Sequence, residues 1–91
     1  MTYNLDSEPD PGTQPGLRRL HPYATITQGN QASYKYWCSK STQEIVDSLR
    51  PGGMEPLTVK QDGTVMQGNT RILVLEERGF DINTLARVPY P

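Results

Sequence analysis

Two short segments of alternating apolar and polar residues flank the dipeptide Asp62-Gly63. Asp-Gly between alternating segments is a strong signal of a β-hairpin, so residues 57–60 and 64–67 are predicted to be its two strands. Gly68 ends the second strand. Residues 70–78 then carry a wide apolar stripe and are closed by Gly79, which predicts a helix. This stretch therefore predicts a hairpin that leads directly into a helix.

A second helix is predicted at residues 42–50. Ser41 and Glu44 have the spacing of a capping box, in which each side chain accepts from the backbone N–H of the other residue. The run Pro51-Gly52-Gly53 ends this helix. Both helices are expected to pack on one sheet, with the following residues mostly buried: Ile45, Val46, Leu49, Leu57, Val59, Val65, Ile72, Leu73, Leu75 and Val88.

Two further strands complete the predicted order. One lies within residues 17–28, where the segment 24–27 is rich in strand-forming residues, and one lies at residues 85–88. The aromatic cluster at residues 34–38 is assigned to no element and is expected either to pack a satellite core or to stack a base. The fold class is α+β, a small mixed sheet with two main helices.

The N-terminal part has a different composition from the rest of the chain. Pro9, Pro11 and Pro15 interrupt regular structure there, so residues 1–16 are predicted to be a flexible arm before a single domain at residues 17–91. Only 34% of the chain is hydrophobic. A core of this size supplies about 3–5 kcal/mol of net stability, which favours a protein partner or self-association.

Charge and cysteine content exclude several classes of protein. The net charge of −1 does not support DNA as a partner, because affinity for nucleic-acid backbone usually requires a basic excess. Cys38 is the only cysteine, which excludes an intramolecular disulfide and the cysteine-rich zinc sites, and no metal site is predicted. No apolar run has membrane-spanning length and the first residues lack a signal-peptide pattern, so a cytoplasmic protein without a membrane partner is expected.

The junction between the hairpin and the second helix has the composition of an anion site. A helix N-terminus leaves backbone N–H groups unpaired and carries partial positive charge. Gly68 allows a sharp turn and a close approach of a ligand. Asn69 is a possible cap, Thr70 adds a hydroxyl, and Arg71 adds a guanidinium suited to phosphate. A capped helix start without a ligand is the simpler alternative.

The same region resembles the ParB/sulfiredoxin superfamily over residues 41–91. Its ParB-like domains read "G-L-x-x-P-I-x-V", then a hairpin, then "G-x-x-R" at a helix start and a closing "V-P-V". The corresponding residues here are Gly52 to Val59, Gly68 to Arg71, and Ala86-Arg87-Val88-Pro89. The resemblance implies a ParB/sulfiredoxin-like fold for the whole domain.

The resemblance also implies a site. Gly53, Glu55 and Pro56 fall where ParB-like proteins place a phosphate-facing loop, and Gly68 and Arg71 fall on the ends of "G-x-x-R". In ParB these two loops hold the phosphates of CTP, so the implied ligand is a nucleotide or other phosphate, with a nucleoside triphosphate and Mg²⁺ as the implied cofactor form. Other relatives are nucleases or a serine kinase.

Departures from the family pattern leave the chemistry open. Asn69 stands where sulfiredoxin has its nucleophilic cysteine and where ParB has a glutamate, Thr70 replaces a histidine or arginine, and Gly53 replaces the motif leucine. Glu55 is the candidate general base for phosphotransfer or hydrolysis. The alternatives are a non-catalytic protein-interaction module that keeps the fold, or a small ParB-like nuclease. His21, the sole histidine, is expected to be a solvated loop residue.

Overall fold

A computed structural model describes residues 15–91. Except for its last two residues, the predicted arm at 1–16 lies outside the described residues. The elements in chain order are β1 (Arg18–Arg19), a π-helix (Thr25–Gly29), α1 (Gln31–Cys38), α2 (Thr42–Ser48), β2 (Thr58–Val59), β3 (Thr64–Gln67), α3 (Asn69–Glu77), a 3₁₀-helix (Ile82–Thr84) and β4 (Val88–Pro89). The chain is thus an α+β domain with a small mixed sheet.

The sheet has four strands in the order β1-β3-β2-β4. β2 and β3 pair antiparallel, which confirms the predicted hairpin, and in its turn the Asp62 carboxylate accepts from the backbone N–H of Thr64 at 2.9 Å. β1 runs parallel to β3, and β4 runs parallel to β2. Because β3 lies inside the sheet, the helix that follows it starts beside the centre of the fold.

The two predicted helices are both present. The capping box of α2 is complete: the Glu44 backbone N–H donates to Ser41 Oγ at 3.1 Å, and the Ser41 backbone N–H donates to Glu44 Oε1 at 2.9 Å. α3 begins at Asn69, directly after Gly68. These two boundaries were set by local chemistry, a cap in one case and a glycine in the other.

The strand predicted within residues 17–28 is present as β1, but the strand-forming segment 24–27 lies outside this strand and is helical. The aromatic residues 34–38 belong to a third α-helix, α1, which packs against α3. The last strand is Val88–Pro89, later than predicted, because a 3₁₀-helix precedes it. In each case tertiary packing outweighs the weak local propensity.

The core lies between the sheet and the helices α2 and α3. Eight of the ten residues expected to be mostly buried are buried, and the two exceptions, Val46 and Val88, are half-buried. The buried apolar cluster consists of Ile45, Leu49, Leu57, Val59, Val65, Ile72, Val74, Leu75, Ile82 and Leu85. α3 supplies its centre, so the N-terminus of α3 is held firmly by the fold.

Within residues 15–91, no helix combines the length and the apolar character needed to cross a membrane.

Candidate functional site

The N-terminus of α3 is open because Gly68, the residue at its N-cap position, provides no capping side chain. Gly68 occupies the N-cap position with φ of 110°, a conformation that favours glycine, and it has no side chain to accept from the helix. The first helical hydrogen bond runs from the backbone N–H of Ile72 to the Gly68 carbonyl at 2.9 Å. The backbone N–H groups of residues 69–71 therefore precede the helical ladder and have no acceptor within it.

Gly68 is also close to its neighbours. A Cβ atom at this position would lie 3.1 Å from Leu49 Cδ2 and 3.4 Å from Leu57 Cδ1. It would lie 3.7 Å from Nη2 of Arg71. A side chain at residue 68 would therefore press on the core below and on the guanidinium beside it.

Arg71, the third residue of α3, is buried, with 4% of its surface exposed. Its Nη1 donates to the carbonyl and to the hydroxyl oxygen of Ser48, each at 3.1 Å. Its Cζ lies 5.3 Å from the centroid of the Trp37 ring, a cation–π distance. The sequence suggested an anion or Glu55 as the partner of Arg71, and the structure adds Ser48 at the end of α2.

The charge of Arg71 is not balanced by a nearby carboxylate. Among residues 15–91, no carboxylate oxygen comes within 4 Å of its guanidinium. Desolvation lowers the pKa of Arg71, and the charge of Glu55 acts in the opposite direction by a smaller amount. A cation is also unfavourable in the first turn of a helix, where the dipole is already positive. Within the described part of the chain, the Arg71 guanidinium therefore has no directly paired carboxylate, and the more distant Glu55 offsets its charge only in part.

A cleft opens directly over this charge. Its volume is about 270 Å³. Its walls come from the loop after β1, helix α1, the loop before β2, and the start of α3. The lining residues are His21, Asn30, Ser33, Trp37, Glu55, Gln67, Gly68, Asn69, Thr70 and Arg71. A second hollow of about 190 Å³, beside the π-helix, shares His21, Asn30, Asn69 and Thr70 with it.

Five of the seven site residues proposed from the sequence line this cleft: Glu55, Gly68, Asn69, Thr70 and Arg71. Gly53 and Pro56 are not among the lining residues. The backbone N–H of Gly53 donates to the Arg50 carbonyl at 3.1 Å, and the Pro56 carbonyl accepts from Nε2 of Gln67 at 2.9 Å. Glu55 is exposed and is the only carboxylate among the residues that line the cleft.

The side chain of Asn69 is used inside the protein. Its Nδ2 donates to the Val65 carbonyl at 2.9 Å, and its Oδ1 accepts from the backbone N–H of Leu20 at 2.7 Å. These bonds tie the end of β1 to the start of α3. Asn69 therefore contributes its backbone N–H to the site, while Thr70 and Arg71 contribute side chains.

Sequence reasoning did not place His21, Asn30, Ser33, Trp37 or Gln67 at this site. Trp37 could have been found, because base stacking by the aromatic cluster was one of its two interpretations. Asn30 and Ser33 reach the cleft through the packing of α1 on α3, and His21 reaches it through the loop after β1. Gln67 directly precedes Gly68 in the chain, but its amide was not counted among the site residues. Among residues 15–91, no three histidine, cysteine or acidic side chains are grouped to hold a metal ion.

Comparison with protein-family models, curated proteins and solved structures gave no match.

Proposed function

We propose that this domain binds a phosphate group, carried by a nucleotide, at the N-terminus of α3. The observation that carries the proposal is the buried guanidinium of Arg71, which has no carboxylate within 4 Å among residues 15–91. Stability alone would favour Asp or Glu in the first turn of this helix. A buried cation at that position is explained if a bound anion completes the site.

The surrounding donors suit a phosphate. Three backbone N–H groups precede the helical ladder of α3, as at known phosphate-binding helix starts. Thr70 adds a hydroxyl to the lining of the cleft, and Arg71 adds a planar, always-charged donor group. Nη1 of Arg71 is fixed by Ser48, which holds the guanidinium in one orientation before any ligand arrives. Preorganisation of this kind lowers the entropic penalty of binding.

A nucleotide is favoured over inorganic phosphate because the site continues beyond the charge. The hollow beside the π-helix adjoins the cleft and shares four of its residues. Trp37, whose ring already lies against Arg71, offers a surface for stacking. The order of helix, hairpin, glycine and helix supports a ParB/sulfiredoxin-like assignment, which we include in the proposal.

Catalysis at this site would depend on Glu55. It is the only carboxylate that lines the cleft, and it faces the same space as Arg71. In phosphotransfer or hydrolysis it would act as the general base or hold a Mg²⁺ ion bound with a nucleoside triphosphate. Without such a role, its negative charge opposes the binding of an anion.

A protein-interaction module is the second candidate. Several large apolar side chains are exposed, among them Leu20 and Tyr23 in the segment before the π-helix. Met54, next to Glu55, is fully exposed. Exposed apolar residues of this size are typical of contact surfaces when they cluster. This candidate predicts that no nucleotide binds.

The proposal can be tested by fluorescence, because Trp37 is the only tryptophan and lies in the cleft. The purified chain is titrated with inorganic phosphate, ATP, CTP and GTP, each with and without Mg²⁺. We expect at least one nucleotide to change the emission in a saturable way and to raise the melting temperature. Ligand at about 100 times its Kd adds about 2.7 kcal/mol of stability. No response to any of these compounds at millimolar concentration would overturn the proposal.

Two variants locate the binding site. Arg71→Met keeps the apolar stem against Trp37 and removes the charge, and we expect the affinity to fall by about 1.5–3 kcal/mol, roughly 10- to 150-fold. Arg50→Met is the matched control, because Arg50 is exposed and pairs with Asp47. Glu55→Gln changes an exposed residue. It should tighten binding measured without Mg²⁺, and should weaken binding with Mg²⁺ if Glu55 holds the ion.

A further inference from the structure

A row of cations and aromatic rings runs from the anion site to the C-terminal end of α1. The guanidinium of Arg71 lies over Trp37, with Cζ 5.3 Å from the ring centroid. The Trp37 ring meets the Tyr36 ring at an interplanar angle of 88°, with the centroids 5.0 Å apart. Nζ of Lys40 then lies over Tyr36, 4.8 Å from its ring centroid. Because each distance is one of direct contact, these four residues form a continuous surface, the aromatic row.

The nucleotide site proposed above uses only one end of the aromatic row. Arg71 and Trp37 line the cleft, whereas Tyr36 and Lys40 do not. Tyr36 is 53% exposed, so part of its ring is available to a ligand. Lys40 is half-buried, and among residues 15–91 no carboxylate oxygen lies within 4 Å of its ammonium group. A mononucleotide has one base, so it leaves the second ring and the second cation without a ligand group.

The charge around α1 differs from that of the whole chain. The net charge of the protein is −1, but residues 15–43 contain four arginines and lysines and no acidic residue. Of these cations, Arg18 and Arg19 form ion pairs with acidic residues of other elements. The charge of Lys40 reaches Glu44, but that carboxylate accepts from the backbone N–H of Ser41 in the cap of α2. The surface that carries the aromatic row is therefore locally basic.

Aromatic rings beside cations are the groups that recognise single-stranded nucleic acid. The bases of a single strand can stack on aromatic side chains while its phosphates contact lysine and arginine. In a duplex the bases are stacked on one another, so the rings of the row could not reach their faces. Two rings and two cations provide for two consecutive nucleotides.

We propose that α1 and the N-terminus of α3 together bind a single-stranded nucleic acid of at least two nucleotides. One phosphate binds at Arg71 and its base stacks on Trp37. The next base stacks on Tyr36, and its phosphate contacts Lys40. This inference rests on the proposed phosphate site at Arg71 and names the ligand of that site as a strand, of which a free nucleotide is a fragment.

The fluorescence of Trp37 tests this proposal in the full chain by comparing strands with single nucleotides. Deoxyadenosine monophosphate is compared with a strand of four deoxyadenosines, and deoxycytidine monophosphate with a strand of four deoxycytidines, at one salt concentration. We expect each strand to bind about 5- to 150-fold more tightly than its monophosphate, the effect of one further stacked base. In Tyr36→Ala this advantage should be lost. A strand of four adenosines is the RNA counterpart, and the tighter of the two adenine strands identifies the natural source.

The salt dependence of strand binding tests the second phosphate contact. Each phosphate that a cation neutralises adds about −0.7 to the slope of log K against log salt, so the native chain should give about −1.4 and Lys40→Met about −0.7. Methionine keeps an apolar stem against Tyr36. Lys35→Met is the matched control, because Lys35 is exposed on the same helix and lies over neither ring of the row. Its slope should equal that of the native chain.

Several outcomes would overturn the inference. Strands that bind no more tightly than the monophosphates would do so and would leave the nucleotide site standing. Native affinity in Tyr36→Ala together with a native slope in Lys40→Met would place the strand elsewhere. A peptide of four glutamates that displaces the strand at equal concentration would show that the surface recognises charge alone. If no strand and no nucleotide binds, the phosphate site at Arg71 and this inference are both wrong.

Discussion

The substitution Gly68→Ala tests how the start of α3 is built. The backbone at Gly68 has φ of 110°, and a residue with a Cβ in a left-handed conformation costs roughly 1–2 kcal/mol. The new Cβ would lie 3.1 Å from Leu49 Cδ2 and 3.4 Å from Leu57 Cδ1, both of them buried core residues. Overpacking a core of this kind adds roughly 1–3 kcal/mol. The smaller entropy of the unfolded alanine chain returns about 0.4–1 kcal/mol.

The net expectation for Gly68→Ala is a loss of about 1–5 kcal/mol in the free energy of unfolding, with a central value of about 3 kcal/mol. A domain of this size has only a few kcal/mol in total, so the measurement is best made by urea denaturation in sucrose, which raises the baseline stability. Trp37 fluorescence and far-ultraviolet circular dichroism should report the same transition.

Gly79→Ala is the matched control. Gly79 also has a positive φ, 77°, but a Cβ there would meet nothing within 4 Å. Gly79→Ala should therefore lower the free energy of unfolding only through the backbone conformation, by about 1 kcal/mol. If Gly68→Ala destabilises the protein no more than Gly79→Ala does, Gly68 is not packed closely against Leu49 and Leu57 as described.

Three further predictions concern the fold. Ser41→Ala should destabilise the protein by about 0.5–2 kcal/mol in urea denaturation, because it removes the cap of α2; an unchanged midpoint would contradict that role. Leu75→Ala should lower the free energy of unfolding by about 2–5 kcal/mol in the same assay, because Leu75 is fully buried at the centre of α3. A smaller loss than that of Ser41→Ala would contradict the position of Leu75 in the core. Hydrogen bonds from the backbone N–H and hydroxyl of Ser41 lower the pKa of Glu44, so the stability from this cap is complete above the ordinary glutamate pKa and is lost as the pH falls through the lowered value. The melting temperature should therefore fall less between neutral and acidic pH in Glu44→Ala than in the native chain. An equal fall in both proteins would show that ionisation of Glu44 does not contribute to stability.

The sequence predicted those parts of the fold that depend on residues close together in the chain. Asp62-Gly63 determines a turn, Ser41 and Glu44 determine a helix start, and Gly68 ends a strand, each within four residues. α1 has no such signal. Its N-cap, Asn30, makes no side-chain cap bond, and the helix is held from outside, for example by the Tyr34 hydroxyl donating to Glu77 at 2.7 Å.

The site was predictable to the same extent. Residues 68–71 could be proposed as a site because a glycine, a hydroxyl and an arginine at a helix start can together bind an anion. Glu55 was added through the family resemblance. The hydrogen bonds of Arg71 to Ser48 could not be predicted, because they join residues 23 positions apart through the packing of α2 on α3. The place of His21 in the cleft could not be predicted either, because it depends on the pairing of β1 with β3, which are distant in sequence.

The central claim is that an anion binds where the N–H groups of α3 meet Arg71. The most direct measurement is a ¹H–¹⁵N correlation spectrum of the native chain, recorded during titration with the nucleotide that gives the largest fluorescence response. The account predicts that the backbone amides of residues 69–71 and the Trp37 indole N–H shift together and saturate at one Kd. It also predicts that Arg71→Met, whose spectrum should show a folded protein, needs roughly 10- to 150-fold more nucleotide to reach the same shifts. Shifts confined to other surfaces, or unchanged amides at residues 69–71 with saturating nucleotide, would contradict it.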